Sequence, residues 1–181
     1  MKEIYKDAPN ISVGSFAYAR SDQVHALSTN NLDFVVDPII PATDEVSSTK
    51  VFEDDFVVMH REDHDISKLK NVTIENILDL KHLHVSGRKR GLHLIDVELE
   101  KIGFKRNVSL RCQHFLIAPS IINSTDLVLM GTRSFAKRNN LAFVEIPIEI
   151  PSMEYFLIWH KSDEGDGGHI WICLLYTSPS P

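Results

Sequence analysis

The feature that most constrains this chain is its regular alternation of short strand-like and short helix-like runs, which commits it to an α/β layering. Residues 11–18 alternate apolar and small side chains. Residues 32–37 (LDFVVD) form the continuous apolar run of a buried strand, stopped by Pro38 and Pro41. The polar stretch 42–49 reads as a loop. Further strands are expected over 51–61, 82–86, 108–113, 127–130, 141–147 and 155–160. Helices are expected over 22–30, with Ser21 or Asp22 as its cap, and over 74–80, capped by Thr73. Others are expected over 118–125, 133–139 and 169–175. The plainest helix is 91–102. Its Leu92, Ile95, Leu99 and Ile102 make one apolar stripe that belongs in a core, and Gly103 sits at the stop position.

Composition removes several function classes. An apolar fraction of 43% and a charged fraction of 24% are those of a water-soluble globular chain. No apolar run approaches the roughly 20 residues needed to span a bilayer, and the first ten residues carry no apolar signal core. Two cysteines make no disulfide framework, and Cys112 alternates with Val108 and Leu110 as a buried strand residue would. These points predict a cytoplasmic protein. The formal net charge is −6, and the densest basic cluster, Arg88-Lys89-Arg90, is short. Binding DNA through this segment alone is therefore not expected, because such affinity rests on clustered cations over phosphates. The last residues (TSPSP) break the style of the chain, and 175–181 read as a non-native tail.

The histidine-rich stretch His60 to Asp65 invites a metal reading. His60 and His64 would share a face only on a helix, whereas the preceding residues read as strand, and no further ligands follow at a recognisable spacing. No metal and no cofactor are expected. Nor is an enzyme: the chain offers no nucleophile–base pair, phosphate loop or paired carboxylates. The residues left with binding chemistry lie at strand ends. His82, Ser86 and Gly87 bracket one strand, where glycine would let a ligand approach the backbone. His84 shares or opposes the face of His82, a choice left open here. His114 and Phe115 precede a helix whose first turn would offer free N–H groups to a carboxylate. Phe16 and Tyr18 end the first expected strand and suit a planar ligand. Each of these has a plain packing role as its alternative, and Trp159-His160 reads as packing.

Several segments, in order, resemble the effector-binding domain of LysR-type transcriptional regulators, nearest the branch of nodulation and aromatic-degradation activators. They are Leu32-Asp33-Phe34-Val35-Val36; Val57-Val58-Met59 with Asp63-His64; and Asp96, Leu99, Gly103, Arg106, Val108 and Leu110. After these come His114-Phe115 with Ala118 and Thr125-Asp126-Leu127, then Trp159-His160 with Trp171. The family's proline after the histidine is Asp65 here, and Thr132 stands where it usually has another proline, with Arg133 one place early.

The resemblance implies a two-lobed, periplasmic-binding-protein-like (type 2) α/β fold with two crossover strands, truncated at its N-terminus. One lobe would comprise about 1–56 with 153–174, the other about 57–152. It implies a small aromatic or carboxylate effector between the lobes, bordered by Phe16, Tyr18, His82, Ser86, Gly87, His114 and Phe115. It also implies a homodimer or tetramer, and DNA contact only through an absent N-terminal winged helix-turn-helix. The rival reading is a solute-binding protein of a transport system, which shares this fold.

Overall fold

The computed structural model describes residues 2–86 and 93–177. In chain order its elements begin with α1 (Lys2–Asp7), α2 (Arg20–Ser28), β1 (Val35–Asp37), β2 (Val46–Asp54) and β3 (Phe56–His60). They continue with α3 (Ile74–Leu78), β4 (Lys81–Val85), α4 (Leu94–Lys101), β5 (Asn107–Cys112) and α5 (Ala118–Ser124). The last are β6 (Leu129–Thr132), α6 (Arg133–Arg138), β7 (Ala142–Glu145), β8 (Met153–His160) and α7 (Gly167–Thr177). The chain divides into two compact units, Met1–Glu53 with Glu154–Pro181, and Asp54–Met153.

The first unit is built on a three-stranded sheet of order β1-β8-β2. β1 runs antiparallel to β8, with Val35 opposite Ile158 and Asp37 opposite Phe156. Leu27 of α2 packs with Val35, Val46 and Ile158 to form its core. The cap expected at Ser21 or Asp22 is not used: α2 starts at Arg20, and its N-cap, Ala19, has no side chain able to cap. Arg20 instead pins the helix start to the sheet, its Nε 3.0 Å from both oxygens of Asp37 and its Nη2 2.8 Å from one of them.

The strand expected over 11–18 does not form. An extended segment becomes a strand only when a neighbour takes up its N–H and C=O groups. Among the described residues no strand pairs with it. The strand expected to begin at Val51 starts instead at Val46, inside the stretch read as loop, because β8 is present to pair with it. It then breaks at Asp55, so one expected strand is two.

In the second unit the strand Phe56–His60 is buried along its whole length. It has β6 on one side and β7 on the other, both antiparallel. Period two sorts its side chains between two cores. Phe56 and Val58 face Ile74 and Ile77 of α3 and Ile95 and Leu99 of α4. Val57 and Met59 face Ala118 and Ile122 of α5 and Ala136 of α6. A parallel pair, β4–β5, joins this sheet through a parallel bridge between His82 and Val128. Two helices thus cover each face of a mixed sheet.

Local signals explain several boundaries. Thr73 caps α3 in a capping box: its hydroxyl accepts from Asn76 N, and Asn76 Oδ1 accepts from Thr73 N. Gly103 ends α4 with φ +80°, a conformation that costs glycine nothing. The expected stripe of that helix is only partly core. Ile95 and Leu99 are buried, whereas Ile102, lying at the helix's C-cap, is 51% exposed; Leu92 lies outside the described residues. Cys112 is half-buried rather than buried and Leu110 is exposed, because among the described residues β5 pairs with β4 alone and its other side is an open edge.

Candidate functional site

Parallel strands carry their chemistry at their carboxyl ends, where the chain turns away and leaves backbone and side chains free to meet a ligand. In the second unit that place is the end of β4–β5. Ser86 follows β4 directly, and its N–H donates to Cys112 O at 3.0 Å. His114 and Phe115 follow two and three residues after Cys112. Both are exposed, and Phe115 lies edge-on to Phe135 with ring centroids 5.8 Å apart. The turn continues through Leu116, 94% exposed, and Ile117 before α5 begins. The structure therefore brings Ser86, His114 and Phe115 to one strand end.

The remaining expected site residues are placed differently. Gly87 lies outside the described residues. Phe16 and Tyr18 sit in the first unit on the unpaired segment after α1, 72% and 40% exposed. His82 is at the opposite, amino-terminal end of β4 and fully buried. Its Nε2 donates to Ile77 O at 2.9 Å, and Nδ1 has no partner. Burial outweighs that bond and lowers its pKa to about 4. Its geometry is that of a core histidine. The first turn of α5 also offers fewer donors than expected, since it contains Pro119, which has no N–H.

The open choice between His82 and His84 resolves by face. Leu83 and Val85 of β4 point into the core with α5 and α6, so both histidines point to the side of α3 and α4. There His84 meets a buried cluster that nothing in the sequence singled out. Arg106, its side chain 2% exposed, forks onto Asp96: Nε donates to Oδ1 at 2.6 Å and Nη2 to Oδ2 at 3.0 Å. The same Nη2 lies 3.0 Å from His84 Nδ1, and Nη1 has no partner. Asp96 Oδ2 also accepts the N–H of His93 at 3.1 Å, closing a capping box on α4. Burial opposes ionisation of Asp96, but the bonds and charge of Arg106, then the His93 N–H, hold its carboxyl below the usual carboxylate range. Burial, then the charges of Arg106 and Arg111, hold His84 below the ordinary histidine value. In the sequence Arg106 and Asp96 stand out only as letters of a family motif. A histidine N-cap three residues before an aspartate was the available signal.

His60 and His64 stand with ring centroids 5.7 Å apart, both buried. At least one nitrogen of each ring is committed, while His60 Nε2 has no partner among the described residues. His60 Nδ1 donates to Arg61 O at 2.7 Å, and His64 Nδ1 accepts from Ile66 N as the cap of a 3-10 turn. Among the described residues no group of three His, Cys, Asp or Glu is placed to hold a metal ion, and no helix is long and apolar enough to cross a membrane.

A mixed sheet covered on both faces, with exposed polar and aromatic residues at the ends of its parallel strands, defines an α/β domain of the class that carries its binding chemistry at strand ends. Residues 1–167 match the model of the LysR substrate binding domain, and the chain belongs to that family. It is 24% identical to the HTH-type transcriptional activator NagR from Ralstonia sp, over 98% of this chain and 60% of that protein. It is 25% identical to nodulation protein D 2 from Rhizobium tropici, over 92% of this chain and 54% of that protein. The chain thus spans little more than half the length of these curated relatives.

Among solved structures, a probable transcriptional regulator, PA0477 from Pseudomonas aeruginosa, superposes with a TM-score of 0.85 at 25% identity. That match covers 99% of this chain and 62% of that one. The BenM effector binding domain with its effector benzoate superposes with a TM-score of 0.76 at 12% identity, covering 98% and 86%. The family is one of transcription regulators rather than enzymes or transport components, and its substrate-binding domains take small-molecule effectors.

Proposed function

We propose that this chain is the sensing part of a transcription activator and that it binds a small aromatic carboxylate at the carboxyl ends of β4 and β5. The single observation carrying this reading is that one strand end holds a serine (Ser86), a histidine (His114) and an exposed aromatic ring (Phe115). A planar ring stacks on or against an aromatic side chain, while a carboxylate takes hydrogen bonds from hydroxyl, imidazole N–H and backbone N–H groups. The benzoate of the BenM domain supports the same ligand class. Gly87, Phe16 and Tyr18 remain part of the proposed set on the strength of the family resemblance. His82 serves the core.

In this reading the effector shifts a pre-existing equilibrium between domain geometries, and a winged helix-turn-helix outside this sequence reads the shift on DNA. The intact regulator is a cytoplasmic dimer or tetramer. The test is a calorimetric titration with benzoate and salicylate. Saturable heat, lost in His114→Ala and in Phe115→Ala while the thermal unfolding midpoint holds, is the expected result. Silence with both compounds, or binding indifferent to both substitutions, overturns the assignment of this strand end.

A further inference from the structure

An arginine donates from every nitrogen and accepts from none. The 3.0 Å contact of Arg106 Nη2 with His84 Nδ1 therefore requires an unprotonated Nδ1 and places the imidazole proton on Nε2. Through the same guanidinium His84 is joined to Asp96, and through Asp96 to the N–H that opens α4. Two residues beyond His84, Ser86 closes β4 with its N–H on Cys112 O. One buried side chain thus ties the first turn of a helix to the strand end that carries the candidate site.

We propose that His84 is a positioning residue through which acid weakens effector binding. Protonation at Nδ1 removes the acceptor, sets an imidazolium against the guanidinium, and releases the first turn of α4 from the end of β4. The surroundings of His84 are arranged for this. Arg106 faces it from the segment before β5, and Arg111 stands opposite it in the β4–β5 register. His93 lies edge-on from the cap of α4, with ring centroids 6.0 Å apart, and His82 shares its strand. Among the described residues the anion beside it is Asp96, 4.0 Å away, and both its oxygens already serve Arg106 and the cap. Nothing in the cluster is free to welcome a second cation, and burial adds to the penalty. Asp96 stays ionised throughout the range in which a histidine titrates, so it does not mimic the effect. A protonated His114 would tighten a carboxylate, the opposite sign.

The inference rests on the reading of the strand end as the effector site, and two measurements separate their failures. The first is salicylate affinity by calorimetry from about pH 8 to about pH 5. The affinity should fall once the pH drops below the ordinary histidine range, with a slope no steeper than about tenfold per pH unit, the limit set by one linked proton. His84→Asn keeps an acceptor near the place of Nδ1 and cannot titrate, so its affinity should not fall with acid. His84→Gln serves if the first variant folds poorly. An acid loss equal in wild type and variant overturns the proposal. The second measurement needs no ligand: the amide-exchange protection factor of Leu99, whose N–H does not rest on the His93 ring as that of Ile95 does, should fall with acid in the wild type only. Protection independent of pH overturns the tie whatever salicylate does. Acid-sensitive protection with no salicylate binding at any pH overturns the effector-site reading alone. A two-bond 1H–15N histidine spectrum showing His84 protonated at Nδ1 at neutral pH would also overturn the proposal.

Discussion

Replacing Asp96 with asparagine tests whether the buried cluster carries the stability its geometry implies. The fork from Arg106 spans a side chain 2% exposed and one 17% exposed, so solvent cannot replace the lost charge. Leaving one partner of such a pair unpaired costs about 3–5 kcal/mol. In the aspartate Oδ2 alone accepts from both Arg106 Nη2 and the His93 N–H. An asparagine oxygen in its place keeps those two bonds, but the amide nitrogen then stands against Arg106 Nε, which loses its acceptor, and the negative charge is gone. The expected loss is therefore at the lower end of that range, about 3 kcal/mol. That is a large share of the roughly 5–15 kcal/mol that holds an ordinary domain together.

Asp96→Leu combined with Arg106→Met behaves differently. It removes both charges and leaves chiefly His84 Nδ1 without its donor, a cost of about 1–3 kcal/mol. The assay is urea unfolding followed by far-UV circular dichroism, with a constant slope required before midpoints are compared. An Asp96→Asn variant that loses less than about 1 kcal/mol refutes the reasoning, as does a double variant costing the sum of its parts. Lys50, which bridges Glu53 and Glu154 at 2.8 Å on the open surface, is the control: Lys50→Ala should leave the unfolding curve where it was.

Three further outcomes are expected. Thr73→Ala removes one arm of the α3 capping box and should cost about 1 kcal/mol in the same assay. Gly103→Ala forces a side chain into φ +80° at the end of α4 and should lower stability by about 1 kcal/mol, although the space around it is empty. His82 has a folded pKa of about 4, below its unfolded value near 6.5, so the unfolded chain binds its proton first. Its contribution is complete above about pH 6.5 and falls as pH drops toward 4, by up to about 3 kcal/mol. His82→Asn should flatten that arm of a stability–pH curve, and an unchanged arm would show that another group is responsible.

What the sequence disclosed follows from which signals are local. Phe56–Met59 are apolar on successive residues, which marks a strand locally, although by sequence they belong to one expected strand over 51–61 and only the fold shows both faces covered. Thr73 and Gly103 mark helix ends because a cap and a left-handed stop are properties of a few neighbouring residues. Residues 11–18 misled because alternation reports what a strand would look like, not whether a partner strand exists. Val46 misled in the opposite sense, since β8 arrives from more than a hundred residues away to pair with β2. The Asp96–Arg106–His84 cluster was illegible for the same reason. Its members come from a helix, a loop and a strand, and only the fold shows that they share one face of β4.

Site and scaffold divide the sequence between them. The sheet of the second unit is fixed from both sides by α3, α4, α5 and α6, so its strand ends stand at set positions whatever the residues that follow them. The turns after β4 and β5 carry little of that core: Phe115, Leu116 and Ile117 are each about half exposed or more. Their side chains can change without cost to the packing beneath, which is how a fold persists at 12% identity between this chain and a domain holding benzoate. The same arithmetic limits what the shared fold says about a ligand. If the effector sits at this strand end as proposed, selectivity among small carboxylates falls to Ser86, His114, Phe115 and the turn that follows, and the buried cluster behind β4 to how firmly those residues are held.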